Sequence, residues 1–205
     1  MDCFWNNWYP SNEIWCEEKK CSIIVNPINT FSNIFYLIIG SYIYEYNKKI
    51  GLSTMLIGIT SSMYHLSDTM FFRILDLYSI NILYSILLSN VLYRKNIIED
   101  KKGCTIILSL YSSFLFISPL CIEMYLYYYY FIFLTLFIYY YELSFYFFNE
   151  LIYTSMFLLI IGFIFSMLDK KSILCEKDSY FQGHSFWHFL SSLSIYFISI
   201  PQSVW

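Results

Sequence analysis

Only three histidines occur in the chain, His65, His184 and His188. His184 and His188 are four apart, so on a helix they share one face about one turn apart. Two imidazoles at that spacing can bind one metal ion, and a third from another helix gives a three-histidine set with one open position. Catalytic zinc sites have that form, whereas structural zinc sites are closed by four ligands that usually include Cys. Zinc is the first expectation because imidazole suits it, with other imidazole-binding metals left open. Asp76 supplies an anion for a dication and can act on the attacking water as general base or acid. Ser61 stands four before His65, where a hydroxyl can polarise a scissile carbonyl or support the ligands. Plainer readings exist for each: unrelated helix-end histidines, an Arg73–Asp76 ion pair, and a serine that satisfies its own helix carbonyl.

The elements that must bring these residues together are apolar. Of 205 residues, 58% are hydrophobic, 23% aromatic and only 13% charged, where a soluble domain carries about a quarter charged residues. The apolar runs are long enough to cross a bilayer as helices. They are continuous and do not alternate, which disfavours a β-barrel. Seven spans are expected, over 28–46, 50–69, 72–93, 104–120, 122–141, 150–168 and 184–204, with Pro119 breaking the fourth from the fifth. The expected fold is therefore an all-α integral membrane protein: an extramembrane head over 1–27 and a seven-transmembrane helix bundle over 28–205, with an intramembrane zinc site.

Seven spans put the head and the C-terminus on opposite sides, and they bring His65, His184, His188 and Asp76 to the head side. An ionisable group such as Asp76 within a span is costly and by default suggests function. The tyrosine clusters at 125–130 and 139–141 read as coding bias first and as interfacial anchors second. No basic stripe suits nucleic acid, no protein partner is indicated, and the net charge of −3 says nothing of partners. No signal peptide is visible in the polar and aromatic first 26 residues, so the first span is expected to carry the targeting information.

The set Ser61-x-x-x-His65, then Asp76, then His184-x-x-x-His188, resembles the seven-helix hydrolase superfamily of alkaline ceramidases and adiponectin/progestin-type receptors. The flanking words resemble the alkaline ceramidase family. They are Trp15-Cys16-Glu17, Asn29-Thr30-Phe31-Ser32-Asn33 and Gln182-Gly183-His184-Ser185-Phe186-Trp187-His188. The resemblance implies a zinc-dependent amide hydrolase that cleaves ceramide, or a related sphingolipid, to a sphingoid base and a fatty acid. It assigns zinc to His65, His184 and His188, action on the water to Asp76, and contact with substrate or oxyanion to Ser61. The substrate is then a membrane lipid that enters sideways from the leaflet. Two alternatives stand beside it: a seven-helix lipid receptor or sensor with a retained zinc site, and a hydrolase of another acylated lipid.

The resemblance also implies calcium, held by acidic residues around Trp15 and Glu17. Here the sequence departs from the family. Ile14 stands where an acid is expected, Lys19 where Asn is expected, and Asn26 where Glu is expected before Pro27. Glu13, Glu17 and Glu18 leave acidic capacity, but Lys19 opposes a dication. The family further implies a disulfide between the head and the sixth-to-seventh loop, which Cys16 and Cys175 match, while Cys104 and Cys121 read as packing residues. That disulfide needs an oxidising side, so the N-terminus is expected to be lumenal or extracellular. Charge does not decide it. Lys19, Lys20, Arg73, Lys170, Lys171 and Lys177 fall on the head side, against Lys48, Lys49, Arg94, Lys95, Lys101 and Lys102 on the other.

Overall fold

The computed structural model describes residues 3–11, 13–117, 126–145, 150–173 and 175–202. Among them the regular structure is helical, and the only β feature is an isolated bridge between Pro10 and Thr69. The helices are α1 (Pro27–Ser32), α2 (Ile34–Tyr44), α3 (Lys48–Ser67), α4 (Met70–Arg94), α5 (Lys101–Ile117), α6 (Leu126–Phe145), α7 (Glu150–Lys170) and α8 (Gly183–Gln202). Pro119, Cys121 and Tyr125 lie outside the described residues.

The first expected span is divided. Pro27 opens α1 at a position where its missing N–H costs nothing. The Asn33 side chain then donates to the Asn29 carbonyl at 2.8 Å, and its own N–H reaches the Thr30 carbonyl at 3.4 Å. This tightened turn separates α1 from α2. Two helices, Met70–Arg94 and Glu150–Lys170, are long and apolar enough to cross a membrane. Among the described residues the other helices do not meet that measure. α2 has 11 residues, and α5 is described for 17, up to Ile117. α3 carries Ser53, Thr54, Thr60, Ser61 and Ser62, and α6 is rich in tyrosine.

α2 and α3 form a tight antiparallel pair. A Cβ on Gly51 would meet the Tyr44 backbone at 2.5 Å, and one on Gly40 would meet the Met55 nitrogen at 2.9 Å. Only hydrogen at these positions lets the backbones approach so closely. α4 packs on α3, and α7 pairs with α8 through the Ser155 hydroxyl, which donates to the Ser194 carbonyl at 2.8 Å. Ile43, Ile50, Ile57, Leu83, Val91, Ile138 and Ile198 share one apolar cluster. Among the described residues, however, buried polar side chains outnumber buried apolar ones, while Ile34, Ile38, Leu52, Ile106, Phe133, Phe157 and Ile164 are exposed.

The head is fastened over the α3–α4 junction. Ser11 N–H donates to the Asp68 carbonyl at 3.0 Å, and Met70 N–H to the Tyr9 carbonyl at 2.9 Å. Asp68 sits at φ 52°, in the left-handed region that short polar side chains tolerate at helix ends. Its carboxylate accepts from the Ser11 hydroxyl at 2.7 Å. Two disulfides complete the head: Cys16–Cys175 ties it to the segment before α8, and Cys3–Cys21 closes it on itself. Sequence reasoning had not paired Cys3 with Cys21. Cys104 is a free, half-buried thiol.

Candidate metal centre

His65 lies in the last turn of α3, and His184 and His188 lie at the start of α8. Both helix ends are held by capping bonds. The orphan carbonyls of Leu66 and His65 accept from Val25 N–H at 2.9 Å and Asn26 N–H at 3.1 Å. At α8, Asp169 accepts from His184 N–H through Oδ2 at 3.0 Å and from Cys16 N–H through Oδ1 at 2.9 Å. One buried carboxylate thus fixes the helix that carries two histidines and the head that covers them.

The three rings converge, with centroids 4.6 to 5.1 Å apart. His65 Nε2 and His184 Nε2 are 3.2 Å apart, and one nitrogen from each ring falls within 4.8 Å of the others. All three side chains are buried. The cluster could hold a metal ion.

The rear nitrogens decide which way the rings present their lone pairs. Ser32 Oγ donates to the Asn29 carbonyl at 3.0 Å and lies 2.7 Å from His188 Nδ1. With its proton committed to the carbonyl, Ser32 accepts from Nδ1–H, which leaves His188 Nε2 bare for a metal. Ser166 Oγ lies 3.1 Å from His184 Nδ1. His65 Nδ1 has no protein partner.

Trp15 forms the roof. Its ring stacks on His184 with centroids 3.7 Å apart, and its indole N–H donates to the Tyr64 hydroxyl at 3.3 Å. Asp76 and Ser61 line a cavity of about 420 Å³ together with His184 and His188. The Asp76 Oδ1 atom is buried without a protein partner. The plainer alternative for Asp76, an ion pair with Arg73, is not how Arg73 is used. Arg73 pairs with Glu13, donates to the Tyr127 hydroxyl at 2.5 Å and to the Ser11 carbonyl at 3.0 Å. Glu13 also accepts from Lys170 at 2.5 Å. The head is so joined to α4, α6 and α7 at the cavity's polar end.

From Asp76 the cavity continues along the bundle to Leu87 and Ile198. Eleven helical residues separate Asp76 from Leu87, a depth of about 16 Å. Leu136 of α6 and Ile160 of α7 line the cavity and are 64% and 52% exposed.

The residues expected around calcium are otherwise engaged. Glu17 accepts from Ile28 N–H at 2.6 Å and Asn29 N–H at 2.9 Å, capping α1. Burial raises its carboxyl above the ordinary glutamate range, and the two amides oppose that rise. Lys19 puts its ammonium 3.0 Å from the Glu13 carbonyl and pairs with Asp68. Glu18 is exposed, and the Trp15 ring is spent on His184.

Sequence reasoning missed Ser32, Ser166, Asp169 and the role of Glu13. Ser32 stood inside a noted word, and Asp169 ended a long apolar run. Neither carries a spacing signal of its own. Comparison with protein-family models and with curated proteins finds no match to the chain.

Proposed function

We propose that this chain is a zinc-dependent amide hydrolase of the alkaline ceramidase type, built as a seven-span bundle in a membrane. The observation that carries the reading is the convergence of His65, His184 and His188, two of which, His184 and His188, line a deep apolar cavity together with Asp76 and Ser61. Nitrogens held about 2.0–2.1 Å from a tetrahedral zinc lie roughly 3.3 Å apart, and the His65–His184 separation is 3.2 Å. Three neutral imidazoles leave one position open, as catalytic sites require. The buried Asp76 oxygen without a partner fits an anion facing a dication and its water.

The membrane reading is supported by the distribution of polarity. The outer faces of the helices are apolar and the interior is hydroxyl- and amide-rich, the reverse of a soluble core and the expected form in lipid. Two disulfides on the head side support a lumenal or extracellular N-terminus.

Bound zinc supplies a Lewis acid and lowers the pKa of water to near neutrality. The chain's own residues do the rest. Asp76 takes a proton from the attacking water and returns it to the leaving nitrogen as the carbon–nitrogen bond breaks. Ser61 hydrogen-bonds the carbonyl oxygen as charge builds on it. The apolar cavity takes an aliphatic chain, which enters sideways from the leaflet. One water is consumed, and a sphingoid amine and a fatty acid leave.

The test is a lipid panel presented to purified protein of measured zinc content. We expect about one zinc per chain and fatty acid released from ceramide, with loss of release in His184→Ala and Asp76→Asn. Unchanged release in either variant overturns the mechanism. Turnover only of another acylated lipid moves the substrate within the same chemistry. Saturable lipid binding without turnover favours a receptor.

A further inference from the structure

Of the three candidate ligands, two have their rear nitrogen held by a serine and one does not. His65 Nδ1 is buried and has no protein partner. A metal-bound imidazole needs an acceptor for that N–H, to fix its tautomer and ring orientation.

The segment bonded to the end of α3 carries a second set of unsatisfied atoms. Asn26, Asn29 and Asn33 are all fully buried, and their spacing of three and four puts them on one face. That face packs against α3. Asn26 N–H bonds the His65 carbonyl, Ser62 donates to the Thr30 carbonyl at 3.3 Å, and a Cβ on Gly58 would meet the Asn33 carbonyl at 3.2 Å. Gly58, Ser62 and His65 form the facing stripe of α3. Yet Asn26 Oδ1, Asn29 Oδ1, Asn29 Nδ2 and Asn33 Oδ1 have no protein partner.

Buried polar atoms in native proteins are bonded, and a cluster of exceptions marks a bound polar molecule. The inventory fits water. Three amide oxygens need donors, while His65 Nδ1–H and the Asn29 NH2 need acceptors. A water donates twice and accepts twice, so two satisfy the set.

We propose that Asn26, Asn29 and Asn33 hold buried water between α1 and α3, and that this water accepts from His65 Nδ1–H and positions His65 as a metal ligand. The three asparagines are positioning residues: they touch neither metal nor substrate. None of the three lines the apolar cavity. The inference rests on the metal reading of the histidine cluster and is independent of which lipid is cleaved.

The experiment uses the full-length zinc-loaded protein and reads zinc loss to a chelator. Replacing Asn29 by Leu fills the space with apolar volume, and zinc loss should quicken about tenfold, the lower end of the effect of removing a partner behind a metal-bound histidine. Asn29→Ala leaves room for additional water and should stay within about threefold of the parent. Equal, unchanged rates in both variants overturn the proposal. If the variants do not fold, the parent decides: nitrogen-15 spectra should place the proton of His65 on Nδ1, and a high-resolution density map should show water bridging it to an asparagine. Direct protein contact at Nδ1, or a proton on Nε2, overturns the proposal. A parent protein that binds no zinc sinks the metal reading instead.

Discussion

Trp15 lies flat against His184, with ring centroids 3.7 Å apart and planes inclined by 23°. Its indole N–H is tied to Tyr64, one residue before His65. The roof therefore touches both helices that carry ligands, and its loss should loosen the metal. Aromatic pairs contribute about 0.5–1.5 kcal/mol beyond area burial. Trp15→Ala should raise the rate of zinc loss to a chelator severalfold, and Trp15→Phe should recover most of it. Equal rates in all three proteins would remove Trp15 from the site.

Asp169 should matter more than its distance from the chemistry suggests. Its two oxygens accept from His184 N–H and Cys16 N–H. Asp169→Ala removes the helix cap, which costs about 0.5–2 kcal/mol, and frees the roof together with it. We expect lower zinc affinity and a lower melting temperature. Asp169→Asn keeps one good acceptor and should fall between. A variant with normal zinc affinity and a normal melt would show that the two amides find other partners.

The disulfides should rank by what they join. Cys16–Cys175 links residues 159 apart, and Cys3–Cys21 links residues 18 apart. Closing the longer loop restrains the unfolded chain more, within a typical range of about 2–4 kcal/mol. The double serine variant at Cys16 and Cys175 should lose more thermal stability than that at Cys3 and Cys21, and should also lose zinc faster. The opposite order in a melting series would refute the assignment.

Gly51 should tolerate no side chain. A Cβ there would sit 2.5 Å from the Tyr44 backbone, which cannot rotate away. Gly51→Val should destabilise by about 1–3 kcal/mol or more through forced separation of α2 and α3. Denaturant titration in detergent checks this, and a wild-type midpoint would mean the helices are not packed this closely.

The histidines were legible because the residue type is rare and the one-turn spacing survives any packing. Their shared end of the bundle followed from counting apolar runs. The partner of Arg73 was not legible: sequence offers only its neighbour Asp76 as an alternative, whereas Glu13 is 60 residues away in a head without regular structure. Asp169 looked like the first charge of a loop, since capping a distant helix is a tertiary property. The division at Asn33 was hidden too, because apolar residues continue on both sides of it. Ser32 and Ser166 were unreadable as supports: a serine in a helix usually bonds its own turn, and only packing makes it face an imidazole.

His65 and His184 meet although 119 residues separate them. During synthesis the first ligand is made well before the other two, and α8 must be inserted before the three can meet. A nascent or truncated chain that lacks α8 has only one of the three histidines and cannot assemble the cluster. If the cluster takes a metal as proposed, its acquisition is the last step of maturation and reports that α3 and α8 have found each other.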